Sequence, residues 1–157
     1  MKQQQLLELY DNYSDNAFRL AMSFLGNIAD SEDIVQNVYT KLIENSPHIS
    51  KGCEKSYILT MTANMCRNHL KSAANRLNSS YEELANDDLT SGFNMEEQSM
   101  FAAINRLPDT YRTALYLHYY EGYSFKEIAK MLHLSVSAVS MRISRGRDQL
   151  KEFLKEE

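Results

Sequence analysis

The sequence predicts an all-α protein: two small helical domains joined by a flexible acidic linker, with a helix-turn-helix in the C-terminal domain. Its 157 residues include only two prolines and five glycines, and alternating β-branched runs are few, so helices are favoured over strands. Residues 75–94 lack a helical period and are rich in Asn, Ser and Asp, which is typical of a linker. We therefore predict a first domain at residues 1–75, a linker at 76–94 and a second domain at 95–157.

Three helices are expected in the first domain. The first follows apolar residues spaced alternately by four and three, and it ends near Gly26. Asp30 is a candidate N-cap for the second helix, and the third is expected from about Ser56 to Ala74. The predicted buried residues of these helices are, in order, Leu6, Tyr10, Tyr13, Ala17, Leu20 and Phe24; Ile34, Val35, Val38 and Leu42; Tyr57, Ile58, Met61, Met65 and Leu70.

The second domain is expected to begin with a helix at residues 95–106, and Pro108 suits the first position of the next helix. Ser124, with Glu127 three residues later, predicts a capping box at the start of a further helix. A turn follows at residues 133–135, where His133 must tolerate a positive φ, and Ser135 can cap a last helix. The predicted buried residues of these two helices are Phe125, Ile128, Ala129 and Leu132, then Val136, Val139, Ile143 and Leu150.

This predicted helix-turn-helix carries a local excess of positive charge. From Lys126 to Lys151 there are six basic and two acidic residues, a net charge of +4 in a chain whose total is −4. In a helix-turn-helix the outward side of the second helix enters the major groove of DNA, where arginine contacts phosphates and guanine. The alternative is that these arginines form the solvated face of an ordinary helix. The residues expected to contact DNA are Lys126, Ser137, Ala138, Ser140, Met141, Arg142, Arg145 and Arg147.

Composition and motifs narrow the function class. There is no apolar run of about 18 residues, and the first residues lack the apolar segment of a signal peptide, so we expect a cytoplasmic protein without membrane insertion of its own. No phosphate loop, nucleophile elbow or paired metal-ligand motif occurs, so we expect neither an enzyme nor a cofactor. Cys66 and His69 could share a helix face, but two ligands are too few for a structural zinc site, and no metal is expected.

Both halves of the chain resemble one protein family. The second half contains Leu107-Pro108-Asp-Thr-Tyr-Arg112, Glu121-Gly122-Tyr-Ser-Phe-Lys-Glu-Ile-Ala129 and Ala138-Val-Ser-Met-Arg-Ile-Ser-Arg-Gly-Arg147. The first half contains Ser31-Glu-Asp-Ile-Val-Gln36, then Tyr57-Ile58, Asn64 and Asn68-His-Leu-Lys71. At these spacings the chain resembles bacterial RNA polymerase sigma factors of the extracytoplasmic-function group in the sigma-seventy family, over nearly its whole length outside the linker.

The resemblance implies a sigma factor that binds RNA polymerase core and directs promoter recognition and transcription initiation. It implies that promoter DNA and an anti-sigma factor are further partners, and that the recognition helix reads the minus-thirty-five element. The residues that it assigns to polymerase binding are Asp33, Gln36, Asn37, Tyr39 and Thr40. Those that it assigns to the opened minus-ten element are Lys51, Lys55, Asn64, Arg67, Asn68 and Lys71.

The chain departs from the family at some of these positions. The family usually has Thr, Lys and Ser where this chain has Ala138, Ser140 and Met141, and alanine where it has Gly146. The promoter sequence therefore does not follow from the resemblance. The alternative function is a stand-alone helix-turn-helix regulator that binds DNA as a dimer and never joins polymerase.

Overall fold

The structure, a computed structural model, describes residues 2–76 and 103–155. The chain divides into two compact units, residues 1–80 and 81–157, and the described elements of both are helical, as predicted. The predicted linker lies outside the described residues except for Arg76, and of the predicted helix at 95–106 only residues 103–105 are seen as helical. None of the helices described is long and apolar enough to cross a membrane.

The first unit contains α1 (Gln3–Leu25), α2 (Ile28–Asn45) and α3 (Glu54–Arg76), and α1 packs against both other helices. Two residues separate α1 from α2. Gly26 ends α1 with a φ of 72°, as predicted, a conformation that glycine adopts at little cost. Asn27 then caps α2, since its side chain accepts a hydrogen bond from the backbone N–H of Asp30 at 2.8 Å. The prediction that Asp30 is the cap was therefore wrong, and Asp30 lies in the first turn of α2.

The core of the first unit differs in part from the prediction. All four residues predicted for α2 are buried, but in α1 Leu9 is buried and Tyr10 is 50% exposed. In α3 the predicted Tyr57 is 36% exposed, and Met61, Met65 and Leu70 are only half-buried. Thr62 is buried, and its hydroxyl is satisfied there because it donates a hydrogen bond to the carbonyl oxygen of Ile58 at 2.7 Å. The buried residues of α3 are Ile58, Leu59, Thr62, Ala63 and Cys66.

The second unit contains α4 (Asp109–Leu115), a π-helical turn (Tyr116–Tyr120), α5 (Phe125–Leu132) and α6 (Val136–Lys155). Pro108 is the residue before α4 rather than its first residue. Arg112 folds back from α4 and donates to the carbonyl oxygens of Asn105 and Leu107 at 3.1 and 3.0 Å. The π-helical turn continues α4 directly, and no feature of the sequence predicted it.

Packing within the second unit confirms most of the predicted core. Ile128, Ala129 and Leu132 are buried in α5, as are Val139 and Ile143 in α6. Phe125 and Leu150 are half-buried. Val136 was predicted to be buried but is 48% exposed, because it is the first residue of α6 and no earlier turn shields it.

Gly146 lies where α6 crosses α4. A Cβ atom at this position would lie 3.0 Å from Cδ1 of Leu115 and 3.2 Å from Cβ of Tyr111. The missing side chain therefore lets the two helices approach closely. This contact accounts for a glycine in mid-helix, which otherwise costs about 1 kcal/mol relative to alanine.

Candidate nucleic-acid and protein interfaces

The first helix of the helix-turn-helix, α5, begins with the predicted capping box. The backbone N–H of Glu127 donates to Oγ of Ser124 at 3.1 Å, and the backbone N–H of Ser124 donates to the Glu127 carboxylate at 3.1 Å. The bond from the Ser124 backbone, aided by its side chain, lowers the pKa of Glu127 from its usual value. Two donors that a helix start would leave unpaired are thus satisfied.

The turn between α5 and α6 also has the predicted geometry. His133 adopts a φ of 57°, in the left-handed region. The backbone N–H of Leu134 donates to the carbonyl oxygen of Ala129 at 2.9 Å, which closes α5. Oγ of Ser135 accepts a hydrogen bond from the backbone N–H of Ala138 at 3.1 Å and caps α6. These local bonds fix the direction in which α6 leaves the turn.

The outward side of α6 carries most of the residues predicted to contact DNA. Ser137, Ser140, Met141 and Arg145 are exposed. Ala138 and Arg142 are half-buried along one edge of this side. The N-terminal half of α6 therefore presents a continuous surface of small polar side chains, one methionine and two arginines.

Arg147 lies at the other edge of that surface. It lies about 140° around the helix from Arg142, on the opposite edge of the buried stripe. Its Nη1 donates a hydrogen bond at 2.9 Å to the hydroxyl of Tyr119 in the π-helical turn. The structure thus gives Arg147 a contact within the unit, and its DNA contact stays a prediction.

Lysines on α5 extend the positive surface. Lys126 is exposed, as predicted, and Lys130 is exposed one turn later on the same side of α5. Sequence reasoning missed Lys130, although its spacing of four residues from Lys126 was a usable signal. In a helix-turn-helix this first helix crosses the DNA backbone, where lysine can meet phosphate.

In the first unit, the residues assigned to polymerase binding lie on α2. Asp33, Gln36, Asn37 and Thr40 are exposed on the side opposite the core. Tyr39 is not part of this surface, because it is 6% exposed and its hydroxyl donates to the carbonyl oxygen of Leu9 at 2.9 Å. The assignment of Tyr39 to a binding surface is therefore corrected: its side chain joins α2 to α1.

The residues assigned to the minus-ten element lie on α3 and the loop before it. Asn68, Lys71 and Lys51 are exposed, while Lys55 is half-buried. Asn64 and Arg67 are half-buried, and the Arg67 guanidinium donates to the side-chain oxygen of Asn64.

Tyr57 is a further candidate that the sequence reasoning placed in the core. It is 36% exposed and shares the outward side of α3 with Asn64 and Asn68, at a helical spacing of about 3.6 residues per turn. The signal that could have found it is this phase relationship, since Tyr57 and Asn64 are seven residues apart.

An open groove of about 460 Å³ runs between α2 and α3. Asn37 and Thr40 line it from α2, and Asn68 and His69 line it from α3, so it adjoins both candidate surfaces of the first unit. At one end Nε2 of His69 lies 3.5 Å from the carboxylate of Asp30, so the two helices are also joined by a polar pair.

The side chains of Cys66 and His69 lie in different surroundings. Cys66 is fully buried, and burial raises the pKa of its thiol to about 12, whereas His69 faces Asp30. Within residues 2–76 and 103–155, no three His, Cys, Asp or Glu side chains are grouped closely enough to hold a metal ion.

Comparison with known proteins matches both units. The family model described as Sigma-70 region 2 matches residues 9–76, and that described as Sigma-70, region 4 matches residues 97–150. The first match begins within α1 and extends through α2 and α3. The second covers the helix-turn-helix.

Individual relatives agree with the family models. The ECF RNA polymerase sigma factor SigE of Mycolicibacterium smegmatis is 27% identical, and the match covers 94% of this chain and 60% of that protein. The chain thus spans less than two thirds of the length of that relative. SigW of Bacillus subtilis, described in the same terms, is 25% identical over 98% of this chain and 91% of that protein.

A solved structure shares the fold. The sigma factor RpoE of Bartonella quintana, crystallised in complex with the anti-sigma factor NepR, matches with a TM-score of 0.71 at 21% identity, over 97% of this chain and 95% of that chain. Matches to two regions of one family, in the same order and over most of the residues, show that the chain belongs to the sigma-70 family, in its extracytoplasmic-function group of RNA polymerase sigma factors.

Proposed function

We propose that this chain binds RNA polymerase core and directs it to specific promoters to initiate transcription. One observation carries the proposal: the chain combines a helix-turn-helix, with an exposed basic recognition side, and a separate first unit with an exposed polar side on α2. A DNA-binding unit alone would serve many regulators. The first unit adds the surface through which, on this proposal, the chain joins polymerase.

The exposed side of α2 is the proposed contact with polymerase. This side offers one carboxylate, two amides and a hydroxyl, from Asp33, Gln36, Asn37 and Thr40. All four side chains are exposed. Polar groups across such an interface fix partner choice and register more than they add affinity. Tyr39 contributes by packing beneath this surface.

The outward side of α3 is the proposed contact with the opened minus-ten element. Asn64 and Asn68 carry amides that can donate to and accept from the edges of unstacked bases. Tyr57 adds an exposed ring on which a base can stack, and such stacking is worth about 1–3 kcal/mol per base. Lys51, Lys55, Arg67 and Lys71 are the proposed phosphate contacts.

The helix-turn-helix is the proposed reader of the minus-thirty-five element as a duplex. Arg142 and Arg145, with Ser137, Ala138, Ser140 and Met141, face the bases, while Lys126 and Lys130 meet the backbone phosphates. Arg147 keeps the structural role that its bond to Tyr119 gives it.

Family membership points to a regulatory protein. We extend this to an activity in the cytoplasm that needs neither catalysis nor a cofactor.

An anti-sigma factor is a further proposed partner, since a protein of the same fold has been crystallised with one. This part of the proposal can be tested by a pull-down from the source cell under several growth conditions. Recovery of polymerase core without any inhibitory protein would contradict it.

The test is transcription by purified polymerase core with and without this protein, on fragments of the source genome. We expect discrete starts only when the protein is present. Changing Asp33 and Gln36 to alanine should abolish association with core while the protein still folds. Changing Arg142 and Arg145 to alanine should leave association with core intact and abolish the specific starts.

Glu152→Ala is a matched control, because Glu152 is exposed on α6 about two turns beyond Arg145 and outside the assigned contacts. The alternative function, a stand-alone regulator, predicts the opposite result. It would bind duplex DNA tightly as a dimer without core, and it would fail to associate with core under any condition tested.

A further inference from the structure

The outward side of α6 contains one large apolar side chain among small and charged ones. Met141 is 46% exposed. With 3.6 residues per turn, it lies directly opposite the stripe formed by Val139 and Ile143, which are buried against the rest of the unit. Met141 therefore has no packing role in the core of this unit. It lies in the middle of the surface that would face DNA.

The neighbours of Met141 are short. Ser137 precedes it by one turn, and Ser140 and Ser144 flank it, all three exposed. A methionine side chain, with three rotatable bonds and a polarisable sulfur, projects beyond serines and adapts to the surface that it meets. On this side of the N-terminal half of α6, the side chains long enough to reach deep into a groove are Met141, Arg142 and Arg145, and Met141 is the apolar one among them.

The major groove presents only one apolar group on its base edges, the methyl group of thymine. An exposed thioether chain in the middle of a recognition surface is complementary to that group and to no donor or acceptor. We propose that Met141 reads a thymine methyl group in the minus-thirty-five element and thereby helps to determine which promoters this chain selects. The proposal rests on the proposed function, since it names a contact of the same recognition helix.

The other exposed residues near Met141 on α6 are less suited to this contact. Val136 is also exposed, but it lies at the start of α6 about 140° from Met141, beside the buried stripe. The serines can hydrogen-bond to several bases and discriminate little.

The test uses the holoenzyme formed with polymerase core. A promoter is first selected from a duplex library randomised over the minus-thirty-five element. Each thymine of the selected element is then replaced by uracil, which removes only the 5-methyl group. We expect one position at which this replacement weakens promoter binding about fourfold, the effect of one buried methyl group.

Variants assign that effect to the side chain. With Met141→Ser, the thymine and uracil duplexes should bind equally at that position. With Met141→Leu, which keeps an apolar side chain, the preference for thymine should remain. Both variants should bind core like the parent protein, because Met141 is on the other unit from the proposed polymerase contact.

The outcomes that overturn the inference are separable from failure of the proposed function. A selected element without thymine on either strand, no position sensitive to uracil, or a thymine preference that persists in Met141→Ser each refutes the role of Met141. A library from which the holoenzyme selects no sequence at all refutes the proposed function itself, and the methyl contact with it.

Discussion

Arg147 in α6 donates a hydrogen bond to the hydroxyl of Tyr119, 2.9 Å away and 28 residues earlier in the chain. The bond joins the recognition helix to the π-helical turn that precedes the helix-turn-helix. A long side chain at the edge of a helix can therefore hold two elements together even though its guanidinium is exposed.

We expect this pair to act as one unit in a double-mutant cycle. Arg147→Ala and Tyr119→Phe should each lower the melting temperature of the protein, and the double variant should be little worse than either one. Promoter selection by the holoenzyme should be unchanged in both. Arg145→Ala is the matched control, expected to impair promoter binding without a change in stability. Fully additive losses in the double variant would show that the bond is not formed in solution.

At Gly146, two effects of adding a methyl group oppose each other. Alanine favours the helix by about 1 kcal/mol, but its Cβ would crowd Leu115, and overpacking costs about 1–3 kcal/mol. We expect Gly146→Ala to give no net gain in the free energy of unfolding in urea, and Gly146→Leu to lose more than about 2 kcal/mol. Ser144→Ala, at an exposed site, should gain a few tenths of a kcal/mol. A full gain of about 1 kcal/mol for Gly146→Ala would mean that α4 and α6 are not in close contact.

Tyr39 and Gln36, three residues apart on α2, should separate stability from partner binding. Tyr39→Phe removes the bond to the Leu9 carbonyl and should lower the free energy of unfolding by about 1 kcal/mol. Its affinity for polymerase core, measured where the variant is folded, should equal that of the parent. Gln36→Ala should do the reverse, with a change in stability below about 0.5 kcal/mol. Loss of core binding in a fully folded Tyr39→Phe would restore Tyr39 to the interface.

The two cysteines should differ in reactivity. Cys53 is exposed, whereas Cys66 is fully buried with a thiol pKa of about 12, so at pH 8 it has almost no thiolate, the reactive form. A thiol reagent such as a maleimide should label one cysteine rapidly in the native protein and two after denaturation. Cys53→Ser should remove the rapid phase. Two equal rapid phases would contradict the burial of Cys66.

Glu127 should make the helix-turn-helix sensitive to acid. Its pKa is lowered in the folded chain, so its stabilising contribution is present above the pKa of an unfolded glutamate and disappears as pH falls through the folded pKa. The melting temperature of the parent should therefore fall more between pH 7 and pH 3 than that of Glu127→Gln. Equal slopes for the parent and Glu127→Gln would contradict the capping contact.

Features determined by neighbouring residues were predictable from the sequence. The capping box at Ser124 and Glu127, the positive φ of His133 and the cap at Ser135 each depend on contacts within four residues, and the structure confirms them. The second helix of the first unit shows the limit of such reasoning. Asn27 and Asp30 are both good caps three residues apart, and Asn27 is the cap because Gly26 ends α1 directly before it.

Features determined by tertiary packing were harder to predict. In α3 the spacing of the large apolar residues predicted that Tyr57 and Met61 are buried. The smaller Thr62 and Ala63 are buried instead, because α1 packs closely on their side of the helix. Arg147 followed the basic pattern of the recognition helix, but its partner Tyr119 is distant in sequence. The π-helical turn has no local signature, so the position of Tyr119 could not be predicted. Residue-level assignment of the DNA and polymerase contacts remains a proposal.

Each of the two units has its own buried residues, Leu20 and Leu42 among them in the first and Leu117 and Ile143 in the second. Domains of this kind fold as units, and the N-terminal one folds first while the ribosome is still translating the remainder. The three helices of the first unit can therefore pack before the helix-turn-helix has been synthesised. A nascent chain would on this basis display its proposed polymerase and minus-ten contacts before the unit proposed to read the minus-thirty-five element exists.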